Sequence, residues 1–185
     1  MYIQAYTDAN YASTPNNRKS SSGYCIFFGD NLVSWSATKQ KVVSRSSAES
    51  EYRGLAIAAA EIIWTLSLLQ ELCIPQSQVP LLWFDNISSS YMAANPVFHS
   101  RSKHIEIDIH FVRDQVLKKK LQLCYVPTED QLADLFTKHL TSSRFDKLRS
   151  SLCIVPRPFS LRGDENHNKN NRRQAVKTNS TEGFS

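Results

Sequence analysis

Residues 46–72 read SSAESEYRGLAIAAAEIIWTLSLLQEL, and this stretch decides the fold. Ser46-Ser47-Ala48-Glu49 has the capping-box pattern, in which the Ser46 hydroxyl accepts from the amide of Glu49 while Glu49 reaches back to the Ser46 amide. Behind it, Tyr52, Leu55, Ala59, Ile62, Leu66 and Leu69 recur every three or four residues. That spacing puts them on one face of a single long amphipathic helix. At roughly 100° per residue, Glu51 falls about 60° from the middle of the apolar stripe and Glu49 about 100° away, toward solvent. Capping accounts for Glu49. Glu51 is a carboxylate aimed at the edge of a core, where an ionised group is costly unless it is paired or on a metal.

Strands surround this helix in the sequence. Tyr2 to Asp8 is rich in aromatic and β-branched residues and reads as a buried strand ending on an acid. Gly23 to Phe28 and Leu32 to Ser36 flank Gly29-Asp30-Asn31, a hairpin signal. Leu81-Leu82-Trp83-Phe84, ending on Asp85-Asn86, is an unbroken apolar run suited to a central parallel strand. A short helix to about Ala94 should follow, then a linker over 95–103. Ile105, Ile109, Val112 and Val116 mark a further helix closed by Lys118-Lys119-Lys120, whose charge suits the helix dipole. Leu121 to Val126 alternates as a last strand. Asp130 to about Leu152 reads as a terminal helix with a break near Thr141. His110, on a helix face, is read as packed rather than catalytic.

Four acids fall at element ends. Asp8 and Asp85 close apolar strands, and ligands of open α/β sheets gather at the strands' carboxyl ends. Glu51 lies near the start of the long helix and Asp134 near the start of the last one. Asp8 and Asp85 as strand ends and Asp134 as a helix-start acid each have a structural explanation when taken singly. Together they would repel one another unless cations lay between them, and an all-oxygen set suits Mg²⁺ or Mn²⁺. Two such ions about 4 Å apart can activate a water and stabilise the leaving oxygen of a phosphodiester displacement.

Composition sets the bounds. The 185 residues are 41% hydrophobic and 21% charged, enough for one domain with a core. The net charge of +5 includes a surplus of three in residues 156–185, so basicity alone argues weakly for nucleic acid. Cys25, Cys73, Cys124 and Cys153 are scattered without a CxxC pair, which suits buried thiols in a reducing compartment better than a zinc site. No uninterrupted apolar run reaches membrane-spanning length, and the first residues lack a signal-peptide pattern. No membrane and no small-molecule cofactor are expected. The region from Pro156 onward, sparse in apolar residues and rich in asparagine, should form a disordered tail after a domain spanning 1–155.

Tyr6-Thr7-Asp8, Ser47-Ala48-Glu49-Ser50-Glu51-Tyr52, Phe84-Asp85-Asn86 and Asp130-Gln131-Leu132-Ala133-Asp134-Leu135-Phe136-Thr137-Lys138 resemble the ribonuclease H domain of copia-type LTR retrotransposon Pol polyproteins. Gly23-Tyr24, Ser34-Trp35-Ser36 and Lys103-His104-Ile105-Glu106 fit the same family in order and spacing. The resemblance spans about residues 2–155. It implies an α/β, ribonuclease H-like fold with a five-stranded mixed sheet flanked by helices. It also implies cleavage of the RNA strand of an RNA–DNA hybrid with two Mg²⁺ ions, for which Mn²⁺ can substitute. Asp8, Glu51, Asp85 and Asp134 become the catalytic and metal-binding acids. The implied setting is a C-terminal fragment of a polyprotein whose reverse transcriptase region is a partner, working in a cytoplasmic retrotransposon particle or in the nucleus. One departure stands out. Many ribonucleases H carry a histidine in the loop before the last acid, and Tyr125 to Ala133 has none.

A hybrid would be gripped mainly through phosphates and groove shape. The candidate contacts are Arg18, Lys19, Ser46, Ser47, Asn86, Arg101, Lys103 and His104, the two serines because a helix N-terminus offers free amides to phosphate. A catalytically silent nucleic-acid-binding or structural remnant is the rival reading. An integrase-like DDE enzyme would need a Glu about 35 residues after Asp85, whereas positions 120 and 121 are Lys and Leu.

Overall fold

A computed structural model describes residues 2–13, 18–86 and 103–153. The chain divides into two units, Met1–Ile154 and Val155–Ser185, and all of the described residues lie in the first. The expected short helix up to Ala94, most of the linker after it and the expected tail lie outside the described residues.

Five strands form one sheet in the order β3-β2-β1-β4-β5. Strand β1 (Ile3–Asn10) pairs antiparallel with β2 (Ser21–Phe28), which pairs antiparallel with β3 (Asn31–Lys39). On its other side β1 pairs parallel with β4 (Leu81–Phe84), and β4 parallel with β5 (Gln122–Tyr125). A mixed sheet of this kind arises from a three-stranded meander followed by crossover connections. Helix α1 (Ser47–Glu71) supplies the first crossover and α2 (Lys103–Leu117) leads into β5.

Side-chain alternation divides the core in two. Ile3, Ala5 and Ile26 of the sheet pack with Leu82 and Phe84 against Tyr52, Leu55, Ala59 and Ile62 of α1. Ile105, Ile109 and Val112 bring α2 onto the same cluster, so the three-and-four spacing read in the sequence is the buried spacing. On the opposite face, Cys25 and Phe27 meet Leu132, Leu148 and Leu152. Helix α1 is long and apolar enough to cross a membrane by length and composition, with a mean hydropathy of 1.3. Its apolar face is buried against the sheet and α2, which is the position of a core helix.

Several expectations need correction. The final segment does break near Thr141, but its first part is not a continuous helix from Asp130. A 3₁₀ turn (Thr128–Asp130) precedes a one-turn helix α3 (Asp134–Thr137), and a separate α4 (Ser142–Ser151) follows. Lys138 leaves α3 in extended conformation, with φ −117° and ψ 150°. Strand β1 also continues two residues past Asp8, which pairs with Gly23 inside the ladder.

Glu49 is buried rather than solvent-facing, at 4% exposure. Its Oε1 accepts from Arg53 at 3.0 Å and its Oε2 from the Arg45 amide at 2.8 Å, so the reciprocal arm of the capping box goes to Arg45 and not to Ser46. The Ser46 hydroxyl does accept from the Glu49 amide, at 3.1 Å. His110 is exposed, 3.9 Å from Glu106 Oε1, because it sits about 100° round the helix from buried Ile109. Of the cysteines only Cys25 is buried, and burial pushes its thiol up to about 12.

Candidate active site

The parallel register between β1 and β4 places Tyr6 opposite Trp83. Their rings stack with centroids 6.2 Å apart. Side chains recur on one face every second residue, so Asp8 and Asp85, two residues further on, project from that same face. Asp134, at the start of α3, meets them from the segment that covers this side of the sheet.

Asp8, Asp85 and Asp134 each offer a carboxylate oxygen, and the three oxygens lie within 4.8 Å of one another. Asp8 and Asp134 are almost wholly buried, at 1% and 0% exposure. This is a set of three hard oxygen donors with no sulfur or imidazole, the donor chemistry that suits a hard divalent cation.

Asp134 is held in place by contacts on both sides. Gln131, completely buried, donates from Nε2 to the Thr7 carbonyl at 3.0 Å and accepts from the Ala133 amide at 3.1 Å. Asn10 Nδ2 donates to the Thr137 carbonyl at 3.1 Å. Gly23 lets this segment come close. A Cβ built there would stand 2.6 Å from Phe136 Cβ and 2.9 Å from Thr137 Cγ2.

Glu51 stands beside the triad without joining that tight group. Its Oε2 accepts from the Ala9 amide at 3.1 Å, which ties α1 to β1 one residue beyond Asp8. Burial pushes its carboxyl up to about 8, and the Asp8 and Asp85 charges push it the same way. Burial also raises the Asp134 carboxyl above the usual range, against the lowering effect of its hydrogen bond from Lys138.

Four residues outside the expected acid set complete the cluster. Lys138 Nζ lies 2.7 Å from Asp134 Oδ1, 3.1 Å from Asp8 Oδ1 and 3.8 Å from Asp85 Oδ2. The contact with Asp8 lacks hydrogen-bond geometry, so the buried Asp8 Oδ1 has no hydrogen-bond partner. Thr137 Oγ1 donates to the other oxygen of Asp8. Arg144 donates to Asp134 Oδ2 and to the Thr128 carbonyl, both at 2.6 Å. Thr128 Oγ1 donates to Asp85 Oδ2 at 3.3 Å. Lys138 follows Asp134 by four residues, the spacing of a helical ion pair, and was legible on that ground. Arg144 reaches the site from α4, beyond the break near Thr141, and no sequence period pairs it with Asp134.

The candidate substrate contacts are more dispersed. Arg18, Ser46 and Ser47 are exposed, and Lys19 and Asn86 are half-buried. The Ser46 hydroxyl is engaged in capping α1. Lys103 opens α2 and His104 follows it, while Arg101 lies outside the described residues.

The five-stranded sheet with this order and these flanking helices is the ribonuclease H-like fold. Among solved structures, the chain is similar to LC11-RNase H1, isolated from compost by a metagenomic approach, with a TM-score of 0.55 and 15% identity over 79% of this chain and 96% of that one. A crystal structure of LC11-RNase H1 in complex with an RNA/DNA hybrid matches with a TM-score of 0.52 and 16% identity, covering 78% of this chain and 97% of that one.

In sequence the chain is 43% identical over 163 residues to the retrovirus-related Pol polyprotein from transposon RE2 of Arabidopsis thaliana. It is 44% identical over 160 residues to that of transposon RE1 of the same plant, and 33% over 144 residues to that of transposon TNT 1-94 of Nicotiana tabacum. These matches cover 88%, 86% and 78% of this chain and 11% of each polyprotein. No protein-family model matches the chain. The chain is similar to one segment of these retrotransposon Pol polyproteins and spans about a tenth of their length.

Proposed function

We propose that this chain is a ribonuclease H that hydrolyses the RNA strand of RNA–DNA hybrids, as the corresponding segment of a copia-type Pol polyprotein. The observation that carries this reading is the convergence of Asp8, Asp85 and Asp134 within 4.8 Å at one end of the parallel strands. Relationship to Pol polyproteins supports the retrotransposon setting, in which a reverse transcriptase region would be the partner that makes the hybrid. A protein with the same fold, LC11-RNase H1, has been crystallised with such a hybrid.

The residues present fit a divalent cation, since buried carboxylate oxygens converge around one point and an ammonium group already sits among them. Asp8, Asp85 and Asp134, with Glu51, would hold two Mg²⁺ or Mn²⁺ ions. When bound, such ions polarise a phosphodiester and make a water nucleophilic near neutral pH. The chain's own residues do the rest. Stacked Tyr6 and Trp83 and the Gln131 clamp keep the carboxylates in register. Glu51, whose titration is displaced toward neutrality, can hold or release a proton beside them. Arg18, Lys19, Asn86, Arg101, Lys103, His104 and the α1 start at Ser46 and Ser47 would grip phosphates on either side.

A silent nucleic-acid-binding remnant is the second reading, and the observation favouring it is Lys138, which partly neutralises the cluster. The deciding experiment incubates the chain with a labelled RNA–DNA hybrid in Mg²⁺, with the same RNA single-stranded and the same sequence as double-stranded DNA alongside. The ribonuclease H reading expects cleavage of the hybrid's RNA strand alone. Hybrid binding without cleavage in either Mg²⁺ or Mn²⁺ would establish the remnant instead.

A further inference from the structure

We propose that Lys138 is a built-in counter-ion of the carboxylate cluster. Its ammonium occupies the place among Asp8, Asp85 and Asp134 that a divalent ion would take, and an incoming ion must displace it. Lys138 thereby sets the affinity of the site for metal. The inference rests on the proposal that these carboxylates hold divalent ions.

The two cations at Asp134 are unlike each other. Arg144 is fixed by two hydrogen bonds of 2.6 Å, one to Asp134 Oδ2 and one to the Thr128 carbonyl. It takes one carboxylate oxygen of Asp134 and the lysine takes the other, Oδ1. Lys138 instead reaches three different carboxylates, at 2.7, 3.1 and 3.8 Å, so it answers the summed charge rather than one partner. Its side chain is one-third exposed whereas its Asp8 and Asp134 partners are buried, which leaves a path out to solvent. The backbone turns out of α3 at Lys138, and a four-carbon stem on such a terminus can swing without disturbing a helical turn. Two positive charges cannot share so small a space at low cost. An ion entering the cluster therefore expels the ammonium, while the Arg144 fork keeps Asp134 oriented after the lysine has gone.

An ordinary surface ion pair would have no effect on metal binding. The test titrates Mn²⁺ into the full-length chain, into Lys138→Met and into Lys147→Met, whose lysine pairs with exposed Asp130 away from the cluster. Calorimetry should show Lys138→Met binding Mn²⁺ at least about tenfold more tightly than wild type, with Lys147→Met unchanged. In EDTA, Lys138→Met should melt lower than wild type, and saturating Mn²⁺ should close that gap. A second measurement needs no variant. The rate at which a water-soluble acetylating reagent modifies Lys138, read by peptide mass spectrometry, should rise when Mg²⁺ is added. Equal or weaker Mn²⁺ binding by Lys138→Met, or an acetylation rate indifferent to Mg²⁺, would overturn the counter-ion role and leave the metal site standing. Failure of every protein to bind Mn²⁺ would overturn both.

Discussion

Tyr6 and Trp83 stack across the β1–β4 pair with ring planes 20° apart, and each lies two residues before a carboxylate of the site. The stack adds a side-chain contact to the backbone ladder that joins these two strands, at the level just before Asp8 and Asp85. A double-mutant cycle with Tyr6→Leu and Trp83→Leu, followed by urea unfolding, should give a coupling energy of about 0.5–1.5 kcal/mol. Additive losses would mean that the rings merely fill space.

Close approach of α3 to the sheet depends on Gly23. An added methyl would meet Phe136 Cβ at 2.6 Å and Thr137 Cγ2 at 2.9 Å, and neither atom is the free end of a flexible chain. Gly23→Ala should cost about 1–3 kcal/mol in chemical denaturation. It should also weaken Mn²⁺ binding, because the segment pushed away carries Asp134. Unchanged stability would show that α3 yields easily.

Glu51 gives the metal-free protein a pH signature. Its carboxyl titrates at about 8 in the fold instead of the ordinary 4.5. Between those values the folded chain holds a proton that the unfolded chain has released, so stability falls as pH rises through that window and levels off above it. Glu51→Gln cannot ionise and should lose this part of the slope. In EDTA its melting temperature should gain on wild type from pH 5 to pH 8.5. Parallel curves for the two proteins would contradict the burial and charge environment described for Glu51.

What was legible in the sequence follows from physical range. The 3.6-residue period exposed α1 and set Glu51 apart, and the unbroken apolar run of β4 marked an interior strand, which lies between β1 and β5. Asp8 and Asp85 could be paired because each lies near the carboxyl end of a strand, Asp8 inside β1 and Asp85 just past β4. Glu49 was misjudged because its burial depends on Arg53, whose guanidinium also reaches Gln40, Val42 and Ser44 in the loop before α1. That network is tertiary and leaves no period. The break near Thr141 was legible, but the same limit hid how short α3 is, since Lys138 leaves the helix to reach the carboxylates of Asp8 and Asp85.

The central claim is that the converged carboxylates do chemistry on an RNA–DNA hybrid, and Asp85→Asn tests it most directly. Asparagine keeps the shape of the side chain and can still accept from Thr128, but it removes one charge from the cluster. The measurement is the initial rate of hybrid cleavage by wild type and Asp85→Asn across a Mg²⁺ titration, with circular dichroism confirming that both are folded. The predicted result is Mg²⁺-dependent cleavage by wild type and a loss in the variant exceeding the roughly 10–100-fold that an outer-shell change at a metal site costs. Equal cleavage by the two proteins, or none by wild type in Mg²⁺ or Mn²⁺, would contradict it.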